Sequence, residues 1–533
     1  MKKIALTVSF LVSAVASLWA ASQERPNIIM IVVDDLGYSD ITPYGANEIQ
    51  MPNISRLANE GIRFRQFYNN GISAPTRASL ITGQYQHKAG MGFFSNNLGL
   101  PAYQGFLNKE SLTVAEVLRN AGYTTLMSGK WHVGEAYDQQ PNQRGFDHFF
   151  GFLGGASSYY AHESNNGNGF GQFGFVKDNQ PYTLPEGVHL TDAITDNAIE
   201  FLEGQKDDGK PFFLYLAFNA PHWPLQAKPA DIAKYKGKYS EGWDSLRTVR
   251  YENAKERGVF PADQEITRRD SLIPEWNTLT YDEKKFWERR QEVFAAMIDH
   301  MDQSVGRILK ELRKLKQDKN TLILFISDNG AQGGYGNASY ARSRANASVG
   351  EPGSYEVQNA YWSQSGNSPL RDYKGRPYEG GIGAPFIAWY PKAIKRRGLV
   401  VDGIGHLIDI APTFYDVAGA EYPKEFNGVV TNALPGKSLL PVLFGQEESV
   451  QREKPLCWER AGNQAVRLGN WKYLSIYPEN EEELYDLSTD RGENHNVAAE
   501  HPEIVAQMRA IYAQWAAEND VVDYRVLRNQ RSF

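Results

Sequence analysis

Four short, mainly apolar runs stand out along the N-terminal part of the chain, at 28–33, 124–127, 212–218 and 321–326. A half-exposed strand would alternate apolar with polar residues, so these short continuous runs predict strands buried on both faces, as in a parallel sheet. The residues between them carry helical spacing. It is clearest over 287–315, where Val293, Phe294, Met297, Ile298, Met301, Val305, Ile308, Leu309 and Leu312 form one stripe. Strands alternating with helices predict an α/β fold, a large and mainly parallel sheet sandwiched by helices. Beyond about residue 440 the pattern changes. Runs at 464–468 and 471–476 alternate as antiparallel strands do, and an amphipathic helix follows at 502–517. We therefore divide the chain into a main domain over 21–440 and a smaller α+β subdomain with an antiparallel sheet over 441–533. Two stretches rich in Gly, Asn and Ser, about 162–174 and 330–367, read as long loops. The charged, aromatic stretch 227–278 reads as an insertion over the main fold. No internal repeat is visible.

The length of 533 residues accommodates both units, and an ordinary composition sets aside disordered and fibrous classes. The net charge of -7, with no basic stripe, argues against nucleic acid as a partner. It leaves room for a local cationic cluster that binds an anion. At the N-terminus, Lys2 and Lys3 precede an apolar run from Ile4 to Val15, with small-residue cleavage patterns at Ala14-Val15-Ala16 and near Ala20. Residues 1–20 thus read as a signal peptide, too short to span a membrane comfortably, and no later stretch is long enough to cross one. Cys457 is the only cysteine and cannot form an intramolecular disulfide, so it reads as a small buried hydrophobe. An exported chain of this size without disulfides suits a bacterial periplasm, cell surface or secreted fraction.

Candidate chemistry collects where the predicted strands end, which is where open α/β sheets bind ligands. The first run leads into Asp34-Asp35, the second into Ser128-Gly129-Lys130-Trp131-His132, the third into Asn219-Ala220-Pro221-His222, and the fourth into Ser327-Asp328-Asn329-Gly330. Any one could be a capped turn, Asp-Asn-Gly above all; four such ends are harder to reach by turn propensity alone. Asp34, Asp35, Asp328 and Asn329 offer only oxygen, which suits Ca²⁺, or Mg²⁺ in a tight cage, and not Zn²⁺. Arg77, Lys130, His132, His222 and Lys374 would surround an anion with donors. Taken singly, each Lys or Arg also fits a solvated surface charge, and His132 a satisfied core histidine. His87 reads as structural. In Ser73-Ala74-Pro75-Thr76-Arg77, Pro75 suits a first helical position, so the hydroxyl of Ser73, free backbone N–H groups and Arg77 would meet at a helix start. The plainer alternative is a surface turn capping an ordinary helix.

Together these segments, with Thr82-Gly83, Gly129-Lys130-Trp131-His132, Ala220-Pro221-His222 and Leu484-Tyr485-Asp486-Leu487 ahead of Glu493-Asn494, resemble the formylglycine-dependent sulfatases of the alkaline-phosphatase-like superfamily. The stretch His222-Trp223-Pro224-Leu225-Gln226 is most similar to the bacterial arylsulfatase-type branch. The resemblance implies that Ser73 is converted to formylglycine (3-oxoalanine) by an anaerobic radical maturase, a partner found in bacteria. Thr76 stands where the family more often has Ser or Cys. One Ca²⁺ held by Asp34, Asp35, Asp328, Asn329 and residue 73 is implied. Arg77, Lys130 and Lys374 would neutralise the sulfate oxygens while a hydroxyl of the formylglycine hydrate attacks sulfur. His222 would protonate the departing alcohol, and His132 would take the proton of the second hydroxyl as sulfate leaves.

The substrate expected of such an exported enzyme is a sulfated glycan, with a terminal sulfated galactose or hexosamine favoured, and aryl sulfates accepted. Tyr159, Tyr160, His162 and Trp223 are candidate sugar contacts; ordinary packing is the alternative for the tyrosine pair. Three other functions fit the same residues: an aryl or alkyl sulfatase for sulfur scavenging, a phosphoesterase or phosphonate hydrolase of the superfamily using unmodified Ser73, and an inactive sulfatase-like binding protein.

Overall fold

The computed structural model describes residues 25–160, 174–206, 208–334, 347–450 and 452–530. The proposed signal peptide and His162 lie outside them. Ten strands form the main sheet: β1 (Asn27–Val33), β2 (Ile62–Tyr68), β3 (Thr124–Lys130), β4 (His148–Phe152), β5 (Phe175–Lys177), β6 (Gln180–Tyr182), β7 (Phe212–Ala217), β8 (Thr321–Ser327), β9 (Phe386–Trp389) and β10 (Leu399–His406). Their order is β10-β2-β9-β8-β1-β7-β3-β4-β5-β6. The run β8-β1-β7-β3-β4 is parallel throughout, with Ile29 of β1 beside Leu214 of β7 and Ile323 of β8. Of the neighbours, β9 lies antiparallel to both β8 and β2.

All seven residues of β1 are buried, because each face of the sheet is covered. Ile29, Ile31 and Val33 enter one core with the helices Pro52–Glu60, Leu190–Gly204 and Tyr281–Lys314. Ile28, Met30 and Val32 enter the other, under the helices Ser73–Thr82, Val114–Asn120 and Ile410–Ala418. The continuous apolar run is therefore the sum of two alternating faces.

The long helix begins at Tyr281, six residues before its apolar stripe does. Thr280 supplies the reason: its side chain accepts from the backbone N–H of Glu283, whose carboxylate reaches back to the Thr280 N–H at 2.8 Å. The insertion is more ordered than its composition suggested, and contains the helix Gly242–Glu256.

After a short ribbon of β11 (Glu425–Phe426) and β12 (Val429–Val430), the helix Leu440–Leu443 still packs into the large core. The C-terminal sheet follows, β13 (Leu456–Arg460), β14 (Asn463–Leu468), β15 (Trp471–Ile476) and β16 (Glu481–Asp486), antiparallel throughout. The helix Pro502–Glu518 closes its core through Val505, Met508, Tyr512 and Trp515, and Cys457 is buried there as expected. A buried charge cluster joins this subdomain to the main one. Glu379 accepts from Lys472 Nζ at 3.0 Å, Arg491 at 3.3 Å and the Tyr68 hydroxyl at 3.0 Å, while Glu493 accepts from the Glu379 N–H at 2.8 Å. Burial alone would raise Glu379, but Lys472 and Arg491 outweigh it and hold the carboxyl below its usual range. Burial raises Glu493.

Candidate active site

The carboxyl ends of β1, β3, β7 and β8 converge, and the helix Ser73–Thr82 points its first turn at the same place. Asp34, Asp35, Ser73, Arg77, Lys130, His132, His222, Asp328 and Asn329 meet there, each at most 5% exposed. Lys374 arrives from the loop ahead of the short helix Glu379–Ile382. Two details differ from the sequence expectation. Strand β3 runs on through Lys130, so that lysine ends the strand instead of following it. The helix starts at Ser73, not Pro75. A proline is tolerated anywhere in a first turn, whose N–H groups have no helical partner, so Pro75 fits two residues deeper than expected. Thr76 Oγ1 accepts from the Asn70 N–H at 3.0 Å, which ties the loop to the helix.

Ser73 Oγ lies 3.2 Å from His132 Nδ1 and accepts from Arg77 Nε at 3.1 Å. Arg77 is held in turn by Asp328 Oδ2, at 3.0 Å from Nε and 2.8 Å from Nη2, and by the Lys130 carbonyl at 3.2 Å. The hydroxyl thus sits between a fixed cation and an imidazole nitrogen. His132 occupies the left-handed region at φ 63°, as Asp35 does at φ 64°, a conformation that costs non-glycine residues energy and clusters at functional sites. Burial pushes the His132 imidazole far below its ordinary pKa, and Lys130, Arg77 and Lys374 push it further. It is neutral at neutral pH and free to accept a proton.

Beside Ser73 the acidic groups form a cradle. Lys130 Nζ donates to Asp34 Oδ2 at 2.6 Å; Lys374 Nζ donates to Asp35 Oδ1 at 2.5 Å, and Asn329 Nδ2 to the same oxygen at 2.7 Å. Asp34 Oδ1, Asp35 Oδ2 and Asn329 Oδ1 are buried and accept no hydrogen bond. Orphaned acceptors of this kind cost about 1–3 kcal/mol each. A hard cation would satisfy all three, so the residues fit the metal inferred from the sequence. Burial would raise both aspartates. Lys130, His222 and Arg77 overcome it at Asp34, and Lys374 and His222 at Asp35, so both stay ionised below their usual range. Lys130 is pulled down to about 8 by burial, against the attraction of Asp34.

The structure adds an imidazole to this rim. His222 Nε2 stands 3.6 Å from Asp35 Oδ2, and ligand atoms of Asp34, Asp35 and His222 all lie within 4.8 Å of one another. His222 Nδ1 donates to the Trp223 carbonyl at 2.7 Å, leaving Nε2 facing the cradle. Burial holds its pKa below the ordinary imidazole value, outweighing the opposing pull of Asp35 and Asp34.

The proposed sugar contacts divide. Tyr159 is fully buried, its hydroxyl donates to the His222 carbonyl at 2.9 Å and its ring stacks on His189. It supports the His222 turn and presents no face to a ligand, so the expectation for Tyr159 is corrected. Tyr160, its neighbour, is half-buried and meets the same His189 edge-on. Trp223 packs against His222 with ring centroids 5.0 Å apart, beside Tyr355 and Val357. Sequence reading missed Gln226, whose Oε1 accepts from the Tyr159 N–H at 2.9 Å and from Ser158 Oγ at 3.0 Å. It also missed Gly155: a Cβ there would stand 2.7 Å from His132 Nε2. We expect Gly155→Ala to displace the His132 ring and lower kcat about 10²-fold with little loss of thermal stability, a split that kinetics and a melting curve report together. An unchanged kcat would show that the ring position is not set there.

Comparison with known proteins agrees with this geometry. The profile of the sulfatase family matches residues 26–420, and that of the N-sulphoglucosamine sulphohydrolase C-terminal region matches 373–517. The chain is 34% identical over 455 residues to an arylsulfatase of Klebsiella aerogenes, covering 83% of this chain and 95% of that one. It is 27% identical to an N-acetylglucosamine-6-O-sulfatase of Bacteroides thetaiotaomicron, covering 89% and 83%. The crystal structure of Ps i-CgsB in complex with k-i-k-neocarrahexaose superposes with a TM-score of 0.70 at 28% identity, covering 95% of this chain and 98% of that one. A match that runs from β1 past the end of β10, over strand ends already furnished for anion chemistry, makes the chain a member of the sulfatase family and a sulfuric ester hydrolase.

Proposed function

We propose that this chain is an exported bacterial sulfatase that removes sulfate from a glycan, with a terminal sulfated galactose or hexosamine favoured, and that it also accepts aryl sulfates. The glycan reading is supported by the likeness to an N-acetylglucosamine-6-O-sulfatase and to a structure holding a neocarrahexaose. The single observation that carries the chemistry is the Ser73 hydroxyl lodged between Arg77 Nε and His132 Nδ1 at the edge of the acidic cradle. In this reading an anaerobic radical maturase converts Ser73 to formylglycine, whose hydrate supplies the nucleophilic hydroxyl. Asp34, Asp35, Asp328, Asn329 and residue 73 would hold one Ca²⁺, which would supply positive charge for the sulfate oxygens.

The chain's own residues do the rest. Arg77, Lys130 and Lys374 face an incoming sulfate with three cations that the aspartates already hold in place, so little reorganisation is needed when charge shifts. Each such donor is worth ~3 kcal/mol of barrier. His132, kept neutral by burial and by the surrounding cations, takes a proton from the group at position 73. His222 acts as the acid in its imidazolium form, with Nδ1–H held on the Trp223 carbonyl and the second proton on Nε2, which it delivers to the departing alcohol oxygen.

Two measurements test this reading. The first is a mass spectrum of the peptide containing Ser73, from protein made with a serine-type maturase, run beside a sulfate-release assay. Loss of two hydrogens at Ser73 with hydrolysis of 4-nitrophenyl sulfate is expected. An unmodified Ser73, from a host that matures a known serine-type sulfatase, would overturn it. The second is His222→Ala, which should slow a sugar sulfate by about 10²–10⁴-fold and a nitrophenyl sulfate, whose leaving group needs no proton, far less. Equal losses would remove His222 from the acid role.

A further inference from the structure

Between the insertion, the segment leading to Lys374 and the C-terminal subdomain lies a separate cavity of about 500 Å³. That volume is in the range of small-molecule sites. Its wall includes Arg247, Arg268, Gln364, Asp372 and Tyr485, and none of these belongs to the cluster around Ser73.

One of these side chains is left without any hydrogen-bond partner, and others keep few. Gln364 is 6% exposed, yet neither its amide oxygen nor its amide nitrogen has a hydrogen-bond partner. A buried primary amide with both ends unsatisfied is expensive. Since Gln364 lies along the wall while its amide atoms are covered, a side-chain rotation that turned the amide into the cavity would let a ligand that both donates and accepts match it. Arg247 is buried, donates to the Thr267 carbonyl, and forms no ion pair among the described residues. Arg268 is exposed at the same wall. Asp372 holds the left-handed conformation at φ 66°, and its nearest cationic atom is Arg376 Nε at 4.0 Å.

This lining selects among ligand classes. Its wall is more polar than apolar, and the Asp372 carboxylate opposes a small anion. Arginine and amide donors beside carboxylate and amide acceptors suit vicinal hydroxyls, each of which donates and accepts. The location selects further. Asp372 stands two residues from Lys374, whose Nζ holds Asp35, and two residues of chain span at most ~7 Å. The cavity therefore adjoins the reaction site along one stretch of backbone.

We propose that this cavity is a remote subsite that binds a non-reacting, hydroxyl-rich sugar ring of the same oligosaccharide whose sulfate is removed at Ser73. The inference rests on the glycan-sulfatase reading above and extends it from one residue of the glycan to two. Binding energy gathered there is used to orient the reacting ring, a contribution that an aryl sulfate cannot provide.

The test compares Arg268→Ala, an exposed and structurally safe change, and Gln364→Leu, nearly isosteric, with the parent enzyme. The substrates are 4-nitrophenyl sulfate and two sulfated hexaoses, one of the carrageenan type and one of the chondroitin 6-sulfate type. Both variants should lose about tenfold in kcat/KM on the hexaose that the parent cleaves, mostly through KM, and stay within about twofold on nitrophenyl sulfate. The same variants in a Ser73→Ala background should bind that hexaose about tenfold more weakly by calorimetry. Unchanged hexaose kinetics, or equal losses on both substrate types, would overturn the subsite. A parent enzyme that cleaves nitrophenyl sulfate but neither hexaose would overturn it while leaving the sulfatase intact. A parent inert to every sulfate ester would overturn both.

Discussion

Alanine at position 73 is expected to abolish sulfate-ester hydrolysis and leave the protein folded. The surroundings of Ser73 explain why the two effects separate. Arg77 keeps two contacts to Asp328 and one to the Lys130 carbonyl when the hydroxyl is gone, so the cationic cluster holds its shape. His132 remains packed beside Gly155 and edge-on to Phe94. The substitution removes only the oxygen from which the nucleophile is made, and among the described residues no other hydroxyl side chain contacts both Arg77 Nε and His132 Nδ1. Loss of a covalent nucleophile with its partners in place costs at least about 10⁴-fold in kcat. Sulfate release and a melting curve on the same preparation check this. A variant that retained a tenth of the parent rate would remove residue 73 from the reaction.

The other large effect is on stability. Stripping divalent cations with a chelator should lower the melting temperature, Ca²⁺ should restore it, and Asp35→Asn should abolish the response together with activity. The argument begins with the three buried oxygens of Asp34, Asp35 and Asn329 that accept nothing from the protein. Lys130 and Lys374 each satisfy one oxygen of an aspartate and leave the other facing the cradle. A ligand that binds only the folded state contributes RT ln(1 + [L]/Kd), about 2.7 kcal/mol at a hundred times Kd. Mg²⁺ should do less, since it demands tighter octahedral geometry. A melting temperature indifferent to both chelator and Ca²⁺ would show that the cradle holds no cation.

The sequence made the centre of this molecule legible and its supports much less so. Strands β1, β7 and β8 could be read because burial on both faces gives each a long, mainly apolar run, and β3 through the shorter Leu126-Met127 core of its buried stretch. Strand β2 could not: Arg63 and Arg65 interrupt it, and both reach backbone carbonyls outside the sheet. Strand β9, only Phe386–Trp389, is too short to announce itself. Most of the reactive groups were legible because they lie at or just past a strand end or early in a helix, positions fixed by local chain geometry; Lys374, on a loop, is the exception. What holds those groups was not. Gly155 matters because of a ring twenty-three positions earlier, and Gln226 because of a backbone N–H sixty-seven positions away. Nothing local distinguishes Tyr159 from Tyr160; only the tertiary fold sends the first under His222 and leaves the second half-buried.

The charge cluster around Glu379 has a consequence for how this enzyme can be cut or recombined. Glu379 lies five residues beyond Lys374, and its loop also carries Gly381, whose carbonyl accepts from the N–H of Gly330 next to Asn329. The cations that neutralise Glu379, Lys472 and Arg491, belong to the C-terminal subdomain. A chain ending before β13 would strand that carboxylate without its partners, and breaking a buried pair in this way costs about 3–5 kcal/mol. The larger unit is therefore not a free-standing catalyst to which the smaller one is appended. A chimaera that borrows its C-terminal sheet from a relative must bring residues 472, 491 and 493 as a matched set.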